Sequence, residues 1–299
     1  MNQKTLKSSL LLILGAFIWG TAFVAQSVGS NDLNAFAFNC IRNFIGVIAL
    51  IPVLFWRLKT TGKSLAEVFT KDLLLGGFIC GVALCIAANF QQMGIEQSTV
   101  GKSAFITTLY IVLVPLFGLF FKKKVSLQVW IGVILATVGL YLLCMDGERF
   151  VLGTGDIYLL LCAAFFTLQI SAIDHFAPHV DGVALSMVEF FVTGLLSGIC
   201  MLFTDVPTYA QISAAAIPLL YTGVFSSGIA YTLQIIGQQN LPATLASLIM
   251  SLESVFATLA GWLILHELLS TQELIGCGLV FAAVILSQIP TNKKLSPNG

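Results

Sequence analysis

Two carboxylates, Glu189 and Glu253, stand inside long apolar runs, as do Arg42, Tyr110 and Trp19. A carboxylate can take up a proton or hold a cation, a guanidinium holds an anion, and a phenol or an indole offers one hydrogen-bond donor. What such groups do depends on the solvent around them. Of the 299 residues, 58% are apolar and 9% charged, against roughly 45–50% and about 25% in an ordinary soluble domain. Stretches this long without charge are solvated by lipid. A charged side chain at the middle of a span costs at least about 2.5–3.5 kcal/mol on insertion scales and usually marks function.

These residues must therefore be placed by spans. A spanning helix needs roughly 20 apolar residues, and cutting the chain where polar clusters, Pro and Gly interrupt gives ten. They run about 7–27, 35–57, 72–93, 99–121, 126–145, 155–175, 182–203, 212–236, 243–264 and 270–289. The first run, Leu10 to Val28, is too long for the core of a signal peptide and reads as a span. With both termini in the cytoplasm, eleven basic residues lie inside: Lys4, Lys7, Arg57, Lys59, Lys63, Lys71, Lys122, Lys123, Lys124, Lys293 and Lys294. Only Arg149 falls outside, an asymmetry that orients the chain.

The spans give each candidate a depth. Glu253 is about 15 Å into the ninth span, the middle of a ~30 Å hydrocarbon core; its role is either a site or gate, or a neutral hydrogen-bonding strut between helices. Tyr110 holds the matching position in the first half, so a Tyr110 and Glu253 pair facing one central cavity is expected. Trp19, about 18 Å up its helix, is too deep for an interfacial belt and reads as cavity wall. Arg42 lies about 10 Å below the outer surface, either as a snorkelling anchor or as a cation that attracts carboxylates. Glu189 lies about 10 Å from the inner surface, with proton or substrate handling as its expected work. Gln92 and Gln234 are placed on the cavity, with interhelical hydrogen bonding as the alternative. Lys102, a turn below the surface, reads as a snorkelling anchor.

Other chemistries lack their residues. The seven cysteines lie in apolar runs with no Cys-x-x-Cys, and Pro178 breaks the helix that would align His175 with His179, so no metal is expected. The phosphate-binding Gly-x-x-x-x-Gly-Lys-Ser/Thr is absent, so ATP and other cofactors are not called for. Formal net charge is zero, which leaves no basic footprint for nucleic acid. No His-Glu-x-x-His helix or Ser/His set lies at spanning depth, so an enzyme is not expected.

The chain also repeats itself. Gln91 returns as Gln234, Gly94 as Gly237, Ile106 as Ile249, Leu109 as Leu252, Val112 as Val255 and Gly118 as Gly261, with Thr108 answered by Ser251. Each unit holds five spans, so parity makes the second enter from the opposite side. The expected fold is thus all-α, ten transmembrane helices as two inverted five-helix repeats, residues 1–146 and 147–299. Two such halves can rock about a site at the midplane.

Several runs resemble a known family. Trp19-Gly20-Thr21-Ala22-Phe23-Val24, Arg42, Gln91-Gln92-Met93-Gly94 and Phe105-Ile106-Thr107-Thr108-Leu109-Tyr110 in the first half are similar to EamA-type transporters of the drug/metabolite transporter superfamily. In the second half, Ser251-Leu252-Glu253-Ser254-Val255-Phe256-Ala257, then His266-Glu267 and Gly276, carry the same resemblance, which covers about residues 7–290. The chain departs from the family pattern at Lys124, where Glu is common, and at Glu189, where Gln is common. The resemblance implies a secondary transporter or exporter of small metabolites, such as amino acids, across the cytoplasmic membrane by alternating access. Its partners would be a small solute, protons and the lipid bilayer. The alternative is a membrane-embedded sensor or accessory protein.

Overall fold

A computed structural model describes residues 3–144, 153–264 and 270–289. Arg149, His266, Glu267, Lys293 and Lys294 lie outside the described residues. The spans form α1 (Gln3–Gly29), α2 (Ala35–Thr61), α3 (Lys71–Ile95), α4 (Val100–Phe120), α5 (Leu127–Cys144), α6 (Thr154–Phe176), α7 (Gly182–Phe203), α8 (Ala216–Gln238), α9 (Ala243–Ile264) and α10 (Thr271–Gln288). Among the described residues nine helices are long and apolar enough to cross a bilayer, and α5 adds a shorter apolar run over Leu127–Leu142.

Helix starts carry local signals. Asn34, Thr70, Thr99 and Asp181 each accept a backbone N–H from the first turn that follows, and Ser270 with Glu273 closes a capping box at α10. The eighth span starts later than the sequence predicts. Tyr209–Ala214 is a separate short helix, and α8 begins beyond Ala215.

Packing repeats as the sequence does. α1 lies against α8 and α9 as α6 lies against α3 and α4; α2 meets α8 as α7 meets α3. The pairs α2–α7 and α5–α10 join the two halves directly. Exchanging each helix with its counterpart five places on reproduces these neighbours, which is how an inverted repeat packs. Gly20 brings α1 against α9 closely: a Cβ there would stand 2.7 Å from the Glu253 carbonyl oxygen and 2.5 Å from the Phe256 Cβ.

Three helices are irregular. α4 breaks at Leu109, between Val100–Thr108 and Tyr110–Phe120. α9 breaks at Ser251, between Ala243–Met250 and Leu252–Ile264. In α8, Thr222–Tyr231 is wound as a π-helix, a rare form that gathers at functional sites.

The two ends of the bundle differ in charge. At one end lie the starts of α1 and α3 and the ends of α2 and α4, with their lysines and Arg57; there Arg57 pairs with Asp181 at 2.7 Å, and Lys123 pairs with Asp174. Ser9 donates to Gln288 at 3.1 Å, which brings α1 and α10 to this basic end. At the other end Lys102 pairs with Asp156 at 2.7 Å. Lys102 is therefore half of an ion pair, not a snorkelling anchor.

Candidate functional site

A small cavity opens beside the two breaks. Tyr110 is the first residue past the break in α4, and Glu253 the second past the break in α9. The Tyr110 hydroxyl donates to Glu253 Oε1 at 3.0 Å, and Thr108 Oγ1 donates to the same oxygen at 3.3 Å. Thr108 and Ser254 also join at 2.7 Å, so the breaks are stitched to each other across the repeat axis. Glu253 is 5% exposed.

Across the cavity stands Arg42 from α2, 2% exposed. Its Nη1 donates to Gln26 Oε1 at 2.8 Å, and its guanidinium carbon lies 5.9 Å from the Phe38 ring centre. Burial this deep excludes the snorkelling anchor. Trp19 lies edge-on to Tyr231, with ring centres 4.8 Å apart. The Trp19 Nε1, the Arg42 Nε and the Gln234 Oε1 are buried without a hydrogen-bond partner among the described residues. Leaving a buried polar group unpaired costs about 1–3 kcal/mol, so three beside one cavity form a ready set of contacts for a polar molecule.

The EamA-like transporter family profile matches the chain twice, over residues 6–145 and 153–288. The chain belongs to the EamA-like transporter family. An uncharacterized transporter of Archaeoglobus fulgidus is 32% identical over 291 residues, covering 95% of this chain and 86% of that protein. The transporter YoaV of Bacillus subtilis is 20% identical, covering 96% and 99%. A chloroplastic WAT1-related protein of Arabidopsis thaliana is 24% identical, covering 97% and 71%. A solved crystal structure, 17% identical, shares the fold with a TM-score of 0.76 over 94% of this chain and 96% of that one. The chain is thus a multi-pass membrane protein of a transporter family.

Within this EamA fold, Trp19, Arg42, Tyr110, Gln234 and Glu253 border the cavity. Two candidates do not. Gln92 turns back to α1, where its Nε2 donates to the Gln26 backbone carbonyl at 3.1 Å; the preceding residue, Gln91, faces the cavity instead. Glu189, fully buried, stands one layer behind the wall. Gln169, which does border the cavity, donates to Glu189 Oε1 at 2.8 Å and accepts from Gln234 Nε2 at 3.3 Å.

Three polar residues that border the cavity, Gln26, Ser226 and Tyr231, have no assignment from the sequence. Gln26 carried a usable signal, a lone amide in the last turns of the first span. Ser226 and Tyr231 carried none, because a π-helix changes which residues share a face.

Proposed function

We propose that this chain carries small metabolites, amino acids or related solutes, across the cytoplasmic membrane by alternating access through the central cavity. One observation carries the reading: a buried cation, Arg42, and a buried carboxyl, Glu253, border the same small cavity together with unpartnered donors at Trp19 Nε1 and Arg42 Nε. A solute with a carboxylate and an ammonium group satisfies both sides at once. Its carboxylate meets Arg42 and Trp19, and its ammonium meets Glu253 and the Gln234 carbonyl oxygen.

The breaks in α4 and α9 supply the motion. Discontinuous helices that break within one residue of matching positions in two inverted repeats let half-helices pivot about a fixed site. Glu253 sits at that junction, bonded to Tyr110 and Thr108, so the solute and a proton compete for one carboxyl. Passage is thereby coupled to a proton gradient. In this reading the basic end faces the cytoplasm, and the uneven distribution of Lys and Arg supports it.

Reconstitution into liposomes with labelled amino acids and amines, with and without an imposed pH gradient, tests the reading. Uptake or exchange of at least one amino acid above protein-free liposomes, raised by the gradient, is expected. No flux for any member of the panel, by protein that stays monodisperse, overturns it. Orientation has its own check: a reporter that fluoresces only in cytoplasm lights at the C-terminus and stays dark when inserted after Gly147, and the reverse pattern rejects the assignment.

A further inference from the structure

A second and larger void lies away from the central cavity. It is an open recess of about 1010 Å³, walled by Phe78 and Val82 of α3, Phe117 of α4 and Leu245 at the start of α9, with Phe165 and Leu168 of α6 as its floor. The two voids use different faces of α6. Phe166, Gln169 and Ile170 turn to the central cavity, whereas Phe165, Leu168 and Ala172 turn to the recess. The two voids share no lining residue, so the recess is distinct from the central cavity, and its walls are apolar enough to face hydrocarbon.

Its rim is basic. Lys123 and Lys124 both border the recess at the basic end, and Lys122 does not. Backbone geometry explains the difference. Lys122 adopts φ 56°, a left-handed conformation usually reserved for glycine. The N–H of Lys123 bonds the Gly118 carbonyl at 3.0 Å and that of Lys122 bonds the Leu119 carbonyl at 2.9 Å, the paired bonds of a Schellman cap. The turn folds the next two lysines back over the end of the recess. Lys123 is held by Asp174, but Lys124 forms no ion pair among the described residues. A non-glycine residue kept in this conformation points to a use for the geometry it produces.

We infer that this recess is a specific binding site for an anionic phospholipid of the leaflet at the basic end. Its acyl chains lie between α3 and α4 against α6, and its phosphate meets Lys124. Charge complementarity selects the ligand: a zwitterionic lipid brings its own cation beside the lysines, while an anionic one brings only negative charge. Gly118, which borders the recess, leaves room for the chains, since a Cβ there would meet only the Lys123 Cβ, at 3.7 Å. The inference does not depend on which solute crosses.

The test is native mass spectrometry of the full chain released from nanodiscs of equal parts phosphatidylglycerol and phosphatidylcholine. Wild type is expected to retain phosphatidylglycerol preferentially. Lys124→Gln should cut that preference about fivefold, the effect of one basic residue at a membrane surface, while Lys122→Gln leaves it unchanged. Gly118→Leu, which projects into the recess, should lower retention of both lipids. For the lysine variants the readout is the ratio of the two lipids, which a smaller yield of folded protein does not alter; for Gly118→Leu it is the total lipid retained per folded protein. Equal retention in wild type, an unchanged ratio in Lys124→Gln, or an equal loss in Lys122→Gln would overturn the site.

Discussion

α4 and α9 break in nearly the same way and carry different chemistry at the break. Leu109 has φ −58° and ψ −9°, and Ser251 has φ −59° and ψ −15°. Beyond them stand a phenol in one half and a carboxyl in the other, and the two meet at 3.0 Å. The scaffold is symmetric, then, and the acid is not. α3 and α8 differ in the opposite way. They share an amide at matching positions, Gln91 and Gln234, both on the cavity, yet α3 is a continuous α-helix and α8 is π-wound over Thr222–Tyr231. An inverted repeat can thus hold a shared geometry while placing its titratable group on one side only.

Removing the asymmetric group should have the largest effect. Glu253→Gln keeps the size of the side chain and can still accept from Tyr110, but it cannot exchange a proton. Flux in liposomes should fall at least about a hundredfold or lose its pH dependence, at matched protein levels and unchanged helix content. Flux curves across pH that superimpose on those of wild type would make Glu253 a strut. Tyr110→Phe weakens the same junction from the symmetric side. It removes one hydrogen bond to the carboxyl, and a hydrogen bond to a charged group is worth about 1.5–3 kcal/mol; about a tenfold loss of flux is expected. If Tyr110→Phe costs as much as Glu253→Gln, the two halves contribute equally and the comparison fails.

Gly20→Val probes the scaffold instead. A side chain there would force α1 away from α9 at the Glu253 carbonyl. Overpacking of this kind costs about 1–3 kcal/mol, seen as a Tm lower by several degrees in detergent. An unchanged Tm would mean that the close approach of α1 to α9 does not hold the two halves together.

Much of this was legible in the sequence because lipid imposes simple rules. Spans must be long, apolar and helical, and the predicted span ends mostly lie within a few residues of the helix ends. The repeat was legible too, since Gln91 with Gln234 and Gly94 with Gly237 keep one spacing. The breaks were not. Neither Leu109 nor Ser251 is Pro or Gly, and Pro115, the one proline in α4, lies six residues beyond its break inside a helical segment. Lys102 was misplaced because its partner, Asp156, is far away in sequence and only the packing of α4 on α6 brings it near. Counting along a span gives Glu189 a depth but no facing, and of two adjacent amides, Gln91 and Gln92, sequence does not say which one faces the cavity.

The smallest expected effect separates the break in α9 from the side chain that occupies it. Ser251 Oγ donates to the Leu248 carbonyl at 2.7 Å, a bond that could be taken as the cause of the break. At the first break Thr108, the counterpart of Ser251, also bonds back along its helix, to the Ala104 carbonyl at 2.6 Å, yet the helix breaks one residue later, at Leu109. The bond therefore does not set where the helix breaks, and packing common to both halves is the better account. Ser251→Ala should therefore keep the break. It loses one buried hydrogen bond, about 0.5–1.5 kcal/mol, and Tm should fall by no more than a few degrees while flux stays near wild type. Hydrogen exchange decides the matter directly. The amides of Leu252 and Glu253, next to the interruption, should exchange at the same rate in the variant as in wild type. If they become strongly protected and flux falls with them, the serine makes the break, and the likeness of the two halves at this point is only one of shape.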